Sequence, residues 1–117
     1  MNRAAKIQVY VWLAQRISAM VLGVAVLVHL ATIIYAVQGG LSAAEIIGRV
    51  RGNGAWLTFY SVFVLAVAVH APIGLRTVLK EMTALPPRAC DGIVTVALAG
   101  ILWMGFRAVF ALYGAGA

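Results

Sequence analysis

The 117-residue sequence predicts an all-α membrane protein with three transmembrane helices. The chain is 64% hydrophobic and 10% charged, whereas soluble domains are nearer half apolar and a quarter charged. Its apolar residues fall into three separate segments, and each is at least as long as the roughly 20 residues that a spanning helix needs. Polar connections with glycine or proline separate the segments. We therefore predict one transmembrane domain over residues 1–117.

The first span is predicted at about 9–36. Basic residues precede it, but the apolar run continues far beyond the length of a signal-peptide core, which predicts an uncleaved helix. The connection that follows is polar and rich in glycine. Within it, the four residues from Ser42 to Glu45 fit a capping box, and they predict a short interfacial helix.

The second span is predicted at about 55–79 and the third at about 92–113. Pro72 removes one hydrogen bond from the second span and should bend it. Pro86 and Pro87 interrupt the chain between the two spans, and Asp91 is predicted to cap the third helix.

Positive charges predict how the helices cross the membrane. Six of the nine lysines and arginines lie near the first residues or around the second connection, which places both regions on the inner side. We expect an up-down-up arrangement, N-terminus inside, in a bacterial cytoplasmic membrane. Since no basic face with interleaved aromatic residues lies outside the spans, we expect no nucleic-acid binding. The six residues are Arg3, Lys6, Arg16, Arg76, Lys80 and Arg88.

Two histidines, His29 and His70, lie inside the apolar spans. An ionisable side chain in the membrane is a functional-site hypothesis, and neutral imidazole is a haem iron ligand. The alternative for each is a histidine that is hydrogen-bonded to a neighbouring helix. Gly74 lies four residues after His70, on the same helical face, and it leaves room for a flat macrocycle or a closely packed helix.

The two histidines are predicted to lie at different depths. At 1.5 Å per residue, His29 lies ~30 Å above the inner end of its span and His70 only ~14 Å above the inner end of its own. They should therefore not ligate one iron together. Each would need a second ligand from another chain, and two haems stacked across the membrane would follow.

Two arginines near the inner ends of the spans are candidates for binding haem propionates. Arg16 lies inside the first span and Arg76 one turn beyond His70. The guanidinium fork suits a carboxylate, whereas the alternative for Arg16 is a side chain that snorkels to the interface. Glu81 is expected to form a salt bridge with Arg76 or Lys80, or to relay a proton to quinone.

The residues at these positions resemble a known family. The stretch from Gln15 to Ala19 resembles the His-Arg-x-Ser-Gly motif of succinate dehydrogenase/fumarate reductase cytochrome b anchor subunits, with Gln15 and Ala19 as departures. His70, Gly74, Arg76 and Glu81 are similar to the second-helix motif of that family, and the similarity spans roughly residues 12–82. Two-haem anchors also carry a first-helix histidine, which His29 resembles. The resemblance implies cofactor-binding roles for His70, His29, Arg16, Arg76, Gly74 and Ser18, with His70 and His29 as iron ligands.

The resemblance also implies a function. Such a chain is a non-catalytic subunit of a tricarboxylic acid cycle enzyme, and it binds one or two b haems shared with a partner. The partners would be a flavoprotein, an iron–sulfur protein, membrane quinone and lipid, and a second three-helix anchor or a second copy of the chain. The alternatives are a haem-free structural anchor, an unrelated small b-type cytochrome, and a small multidrug exporter. An exporter would need an acid inside a span, and none of the three acidic residues lies in one.

Overall fold

The computed structural model describes residues 2–114, which form four helices. They are α1 (Arg3–Gln38), α2 (Ala43–Val50), α3 (Gly54–Met82) and α4 (Pro87–Tyr113). The three long helices are each long and apolar enough to cross a membrane, and the described part of the chain contains no strand. The predicted all-α class with three spans is thus confirmed. The predicted orientation of the spans remains a prediction.

Each long helix extends beyond the span predicted from the sequence. α1 begins at Arg3 because the Asn2 side chain accepts a hydrogen bond from the backbone N–H of Ala5 at 2.8 Å, which satisfies one of the free donors of the first turn. Hydropathy marks only the part of a helix that fits the hydrocarbon core, whereas backbone hydrogen bonding continues into the polar interface.

The prediction that Asp91 caps the third long helix is wrong. α4 begins at Pro87, with Pro86 at the N-cap position and no side-chain cap. Proline suits the first helical position because its fixed φ matches the helix and the missing N–H has no helical acceptor there. Asp91 consequently lies in the second turn of α4, where its side chain is available to a neighbouring helix.

The short helix in the first connection is also confirmed, as α2. The Ser42 hydroxyl accepts from the Glu45 backbone N–H at 3.2 Å and donates to the Glu45 carboxylate at 3.0 Å. After α2, Gly52 has φ +66°, a left-handed conformation that favours glycine. Its N–H donates to the carbonyl of Tyr113 at 2.9 Å. This bond joins the connection to the last turn of α4.

α3 is the central helix, because it packs against both α1 and α4. The face of α1 that is covered follows alternating steps of three and four residues, which is the spacing of helices that cross at a small left-handed angle. We call this face the α1 seam. Its members are Gln15, Ser18, Leu22, Ala25, His29, Thr32 and Ala36. The small side chains on it let the backbones of α1 and α3 approach closely.

α4 lies close against α3 at Gly105. A β-carbon at this position would lie 2.7 Å from Cγ1 and 3.0 Å from Cγ2 of Val64. Because valine is branched at its β-carbon, those methyl groups cannot turn away cheaply. Gly105 therefore sets how near α4 lies to α3.

We expect Gly105→Ala to destabilise the chain by about 1–3 kcal/mol, the usual cost of an extra methyl group in a packed contact. Unfolding of the purified chain in mixed detergent micelles would measure the free energy. The matched control is Gly100→Ala in the same helix, where nothing lies within 4 Å of the added carbon. Equal stability of the two variants would contradict the close contact, whereas rescue of Gly105→Ala by Val64→Ala would support it.

Candidate functional site

Two contacts across the α1 seam show how α1 and α3 are aligned. Near one end, a β-carbon at Gly74 would lie 3.4 Å from Nε2 of Gln15. Farther along, the His29 ring lies edge-on to Tyr60 and Phe63, with centroid separations of 5.9 Å and 5.8 Å. Higher numbers on α1 thus meet lower numbers on α3, so the two helices are antiparallel.

The first contact brings Gln15 to the part of α3 that carries His70. His70 lies one helical turn before Gly74 and therefore on the same face. Its Nδ1 and the Oε1 of Gln15 are the two buried side-chain polar atoms without a hydrogen-bond partner in residues 2–114. Burying such a group unpaired costs about 1–3 kcal/mol, so both atoms require an explanation.

Gly74 is predicted to leave room for a macrocycle or a closely packed helix. The side chain of Gln15 on α1 lies against it, since a β-carbon there would be 3.4 Å from Nε2 of Gln15. The contact between α1 and α3 is thus close at Gly74, and the macrocycle stays a prediction.

Ser18 belongs to the same part of the seam. It is 5% exposed, and the antiparallel alignment places it at about the level of His70. Its hydroxyl donates to the backbone carbonyl of Gln15 at 3.0 Å. This bond within α1 satisfies the hydroxyl, a common arrangement for serine inside a helix.

The two candidate arginines are not on the seam. The guanidinium carbon of Arg16 lies 5.1 Å from the centre of the Trp12 ring, a cation–π distance, and the residue is exposed. Arg76 forms a salt bridge of 3.0 Å with Asp91. Glu81 is predicted to pair with Arg76 or Lys80, or to relay a proton, and the structure shows that the partner of Arg76 is Asp91 instead. Within residues 2–114, neither arginine forms a described contact with His70.

His29 lies in a separate site. Its Nδ1 is 3.5 Å from the hydroxyl oxygen of Tyr60, and it lines a cavity of about 790 Å³ between α1, α2 and α3. Arg49 lines the same cavity, with its guanidinium carbon 5.5 Å from the centre of the Tyr35 ring. The sequence does not predict that Tyr60, Arg49 and a cavity lie beside His29. They come together through the position of α2 and the alignment of α1 on α3.

The structure does not bring the two histidines to one place. His29 is level with Tyr60 and Phe63, which precede His70 by ten and seven residues, or ~15 Å and ~10 Å along the helix. This agrees with the unequal depths derived from the sequence. No three histidine, cysteine or acidic side chains in the described residues are close enough to hold a metal ion by themselves.

Comparison with known proteins gives one finding. The model of a family described as succinate dehydrogenase/fumarate reductase transmembrane subunit matches residues 2–112. No curated protein and no solved structure gives a significant match.

The Arg76–Asp91 pair can be tested as a contact between α3 and α4. Because its side chains are 47% and 54% exposed, solvent screens the pair, and we expect Asp91→Asn to lower the free energy of unfolding by at most about 1 kcal/mol. A double-mutant cycle with Arg76→Gln, in the mixed-micelle assay at low and high salt, measures the coupling. The control is Glu81→Gln. Stronger coupling of Arg76 to Glu81 than to Asp91 would contradict the pair.

Proposed function

The chain belongs to the family of succinate dehydrogenase/fumarate reductase transmembrane subunits, and from this premise we propose that it binds haem b through His70. Family membership makes it a membrane subunit of such a complex, with partners in that complex. The proposal adds that the haem is shared with a neighbouring chain. It also adds that electrons pass between an iron–sulfur subunit on the inner side and quinone in the bilayer.

The observation that carries the proposal is the imidazole of His70, which has no hydrogen-bond partner in the described structure. Its Nδ1 is covered by protein, whereas Nε2 is not among the buried, unpaired atoms. Nε2 is thus the nitrogen that a ligand from outside the chain can reach. By contrast, Nδ1 of His29 lies within hydrogen-bond distance of the Tyr60 hydroxyl.

Haem, when bound, would carry one electron at a time at a potential set by its axial ligands and surroundings. His70 would hold the iron, and the apolar helices around it would exclude water. Arg16 is a better candidate than Arg76 for binding a haem propionate, because Arg16 has no described acidic partner. Its described contact is with the ring of Trp12. Arg76 is already neutralised by Asp91.

A second axial ligand for the His70 haem would come from another chain. His29 cannot supply it, since it lies ~10–15 Å away along the helices and contacts Tyr60. Large apolar side chains are exposed on α1 and α4. These faces suit lipid and a second three-helix subunit or a second copy of the chain.

A second haem at His29 is the two-haem form of the proposal, and the cavity beside His29 favours it. The Tyr60 hydroxyl engages only Nδ1, which leaves Nε2 for a metal in the manner of ligating histidines that are held by an outer partner. The competing role for His29 is packing, with Tyr60 as its hydrogen-bond partner. If neither histidine binds haem, the chain is a structural anchor.

We expect His70→Ala to remove at least one haem per complex, because no other described side chain at that depth offers an imidazole. The measurement is the pyridine haemochrome yield relative to flavin in the purified complex. Thr77→Ala, an exposed position two turns further along α3, is the control for assembly. A full haem yield in His70→Ala would defeat the assignment.

For His29, the second haem and the packing role predict different results. If two haems are present, His29→Ala should remove one of them and leave the His70 haem in place, and Tyr60→Phe should keep both. The same haem-to-flavin ratio decides between them, together with the number of redox transitions in a titration. An unchanged ratio in His29→Ala would assign His29 to packing.

A further inference from the structure

Iron bound at Nε2 of His70 would leave both buried atoms, Nδ1 of His70 and Oε1 of Gln15, without a hydrogen-bond partner. We propose that the Gln15 carboxamide accepts a hydrogen bond from the Nδ1–H of His70, directly or through one buried water, and thereby positions the imidazole. This inference rests on the proposed function, because it assumes that Nε2 of His70 binds the iron. Gln15 is a positioning residue in this view and touches no cofactor itself.

The alignment of the helices places the two atoms on the same part of the seam. The Gln15 side chain lies against Gly74, and His70 is one turn from Gly74 on the same face of α3. Both unpaired atoms are fully covered by protein. Two unpaired polar groups in one buried place are the usual setting of a bridging water.

The chemistry of a ligating histidine requires such an acceptor. When one ring nitrogen binds a metal, the other carries the proton, and in metal sites it almost always donates to a carboxylate, carbonyl or water. In His70 the proton-bearing atom would be Nδ1, which is buried and cannot reach bulk water. An amide oxygen on the facing helix satisfies that donor, and the same bond satisfies the oxygen.

The other polar groups near this point are less suited to the role. The Ser18 hydroxyl is already engaged with the backbone of its own helix. Arg16 is adjacent in sequence, but it lies against Trp12 and offers only donors. Gln15 Oε1 is the acceptor that has no other described partner.

The inference predicts opposite redox shifts for two substitutions of one residue. An acceptor on Nδ1–H makes the imidazole more basic and so favours ferric over ferrous iron. Methionine has a similar shape to glutamine but no strong acceptor, so Gln15→Met should raise the ferrous-to-ferric ratio at a fixed ambient potential by about tenfold. For one electron this is a rise of about 59 mV in the reduction potential of the haem. Gln15→Glu, a stronger acceptor, should lower that ratio.

The experiment is a redox titration of the purified complex, followed in the haem band that His70→Ala removes. Gln8→Met is the matched control, because Gln8 is exposed and lies seven residues earlier on the same helical face. We expect it to leave the potential unchanged. Haem lost in Gln15→Met but kept in Gln15→Glu would also support the proposal, since only the second variant retains an acceptor.

Several results would overturn the assignment. One is a reduction potential that is unchanged in both Gln15 variants, or that moves in the same direction in both. Another is loss of haem from both Gln15 variants. A third is a potential that changes in Ser18→Ala but not in Gln15→Met. If the wild-type complex contains a haem that His70→Ala removes, these outcomes overturn the role of Gln15 but not the proposed function. A wild-type complex without His70-dependent haem overturns the proposed function, and this inference falls with it.

Discussion

Close antiparallel packing of α1 on α3 is the constraint on which the candidate sites depend. It sets Gln15 beside Gly74 and His29 beside Tyr60 and Phe63. One interface therefore contains a polar position near each end, with small and apolar side chains between them. Because bulk water is not available in a bilayer core to pair with buried polar atoms, each of these positions needs a partner from protein, cofactor or a buried water. His29 has such a partner in Tyr60, whereas His70 and Gln15 have none in the described structure.

Much of the fold could be predicted from the sequence, because helices and their ends depend on residues that are close together in the chain. Hydropathy located three spans, and the Ser42–Glu45 box located α2. The start of α4 was misplaced, since the two prolines looked like breakers although Pro87 is a good first helical residue. That single error concealed the partner of Arg76. The depth difference between the histidines could be derived from helical rise alone, because it needs no knowledge of which faces meet.

The environment of the candidate sites could not be predicted in this way. α1 and α3 are apolar on all sides, so the period of their hydrophobic residues says little about which face meets which helix. The partners of Gln15, His29 and Arg49 depend on rotation and alignment between elements that are distant in sequence. One signal was available in retrospect. Gln15 and His29 are fourteen residues apart, two heptads, and lie on a seam of small residues, which predicts that both face the same neighbour.

The hydrogen bond from Gly52 to the carbonyl of Tyr113 has a practical consequence for anyone who handles this protein. Gly52 directly precedes Asn53, which lines the cavity beside His29, so the last turn of α4 helps to brace one wall of that cavity. A substitution in the last turn of α4 that moves the carbonyl of Tyr113 would therefore also disturb the cavity wall, although the two lie sixty residues apart in the sequence.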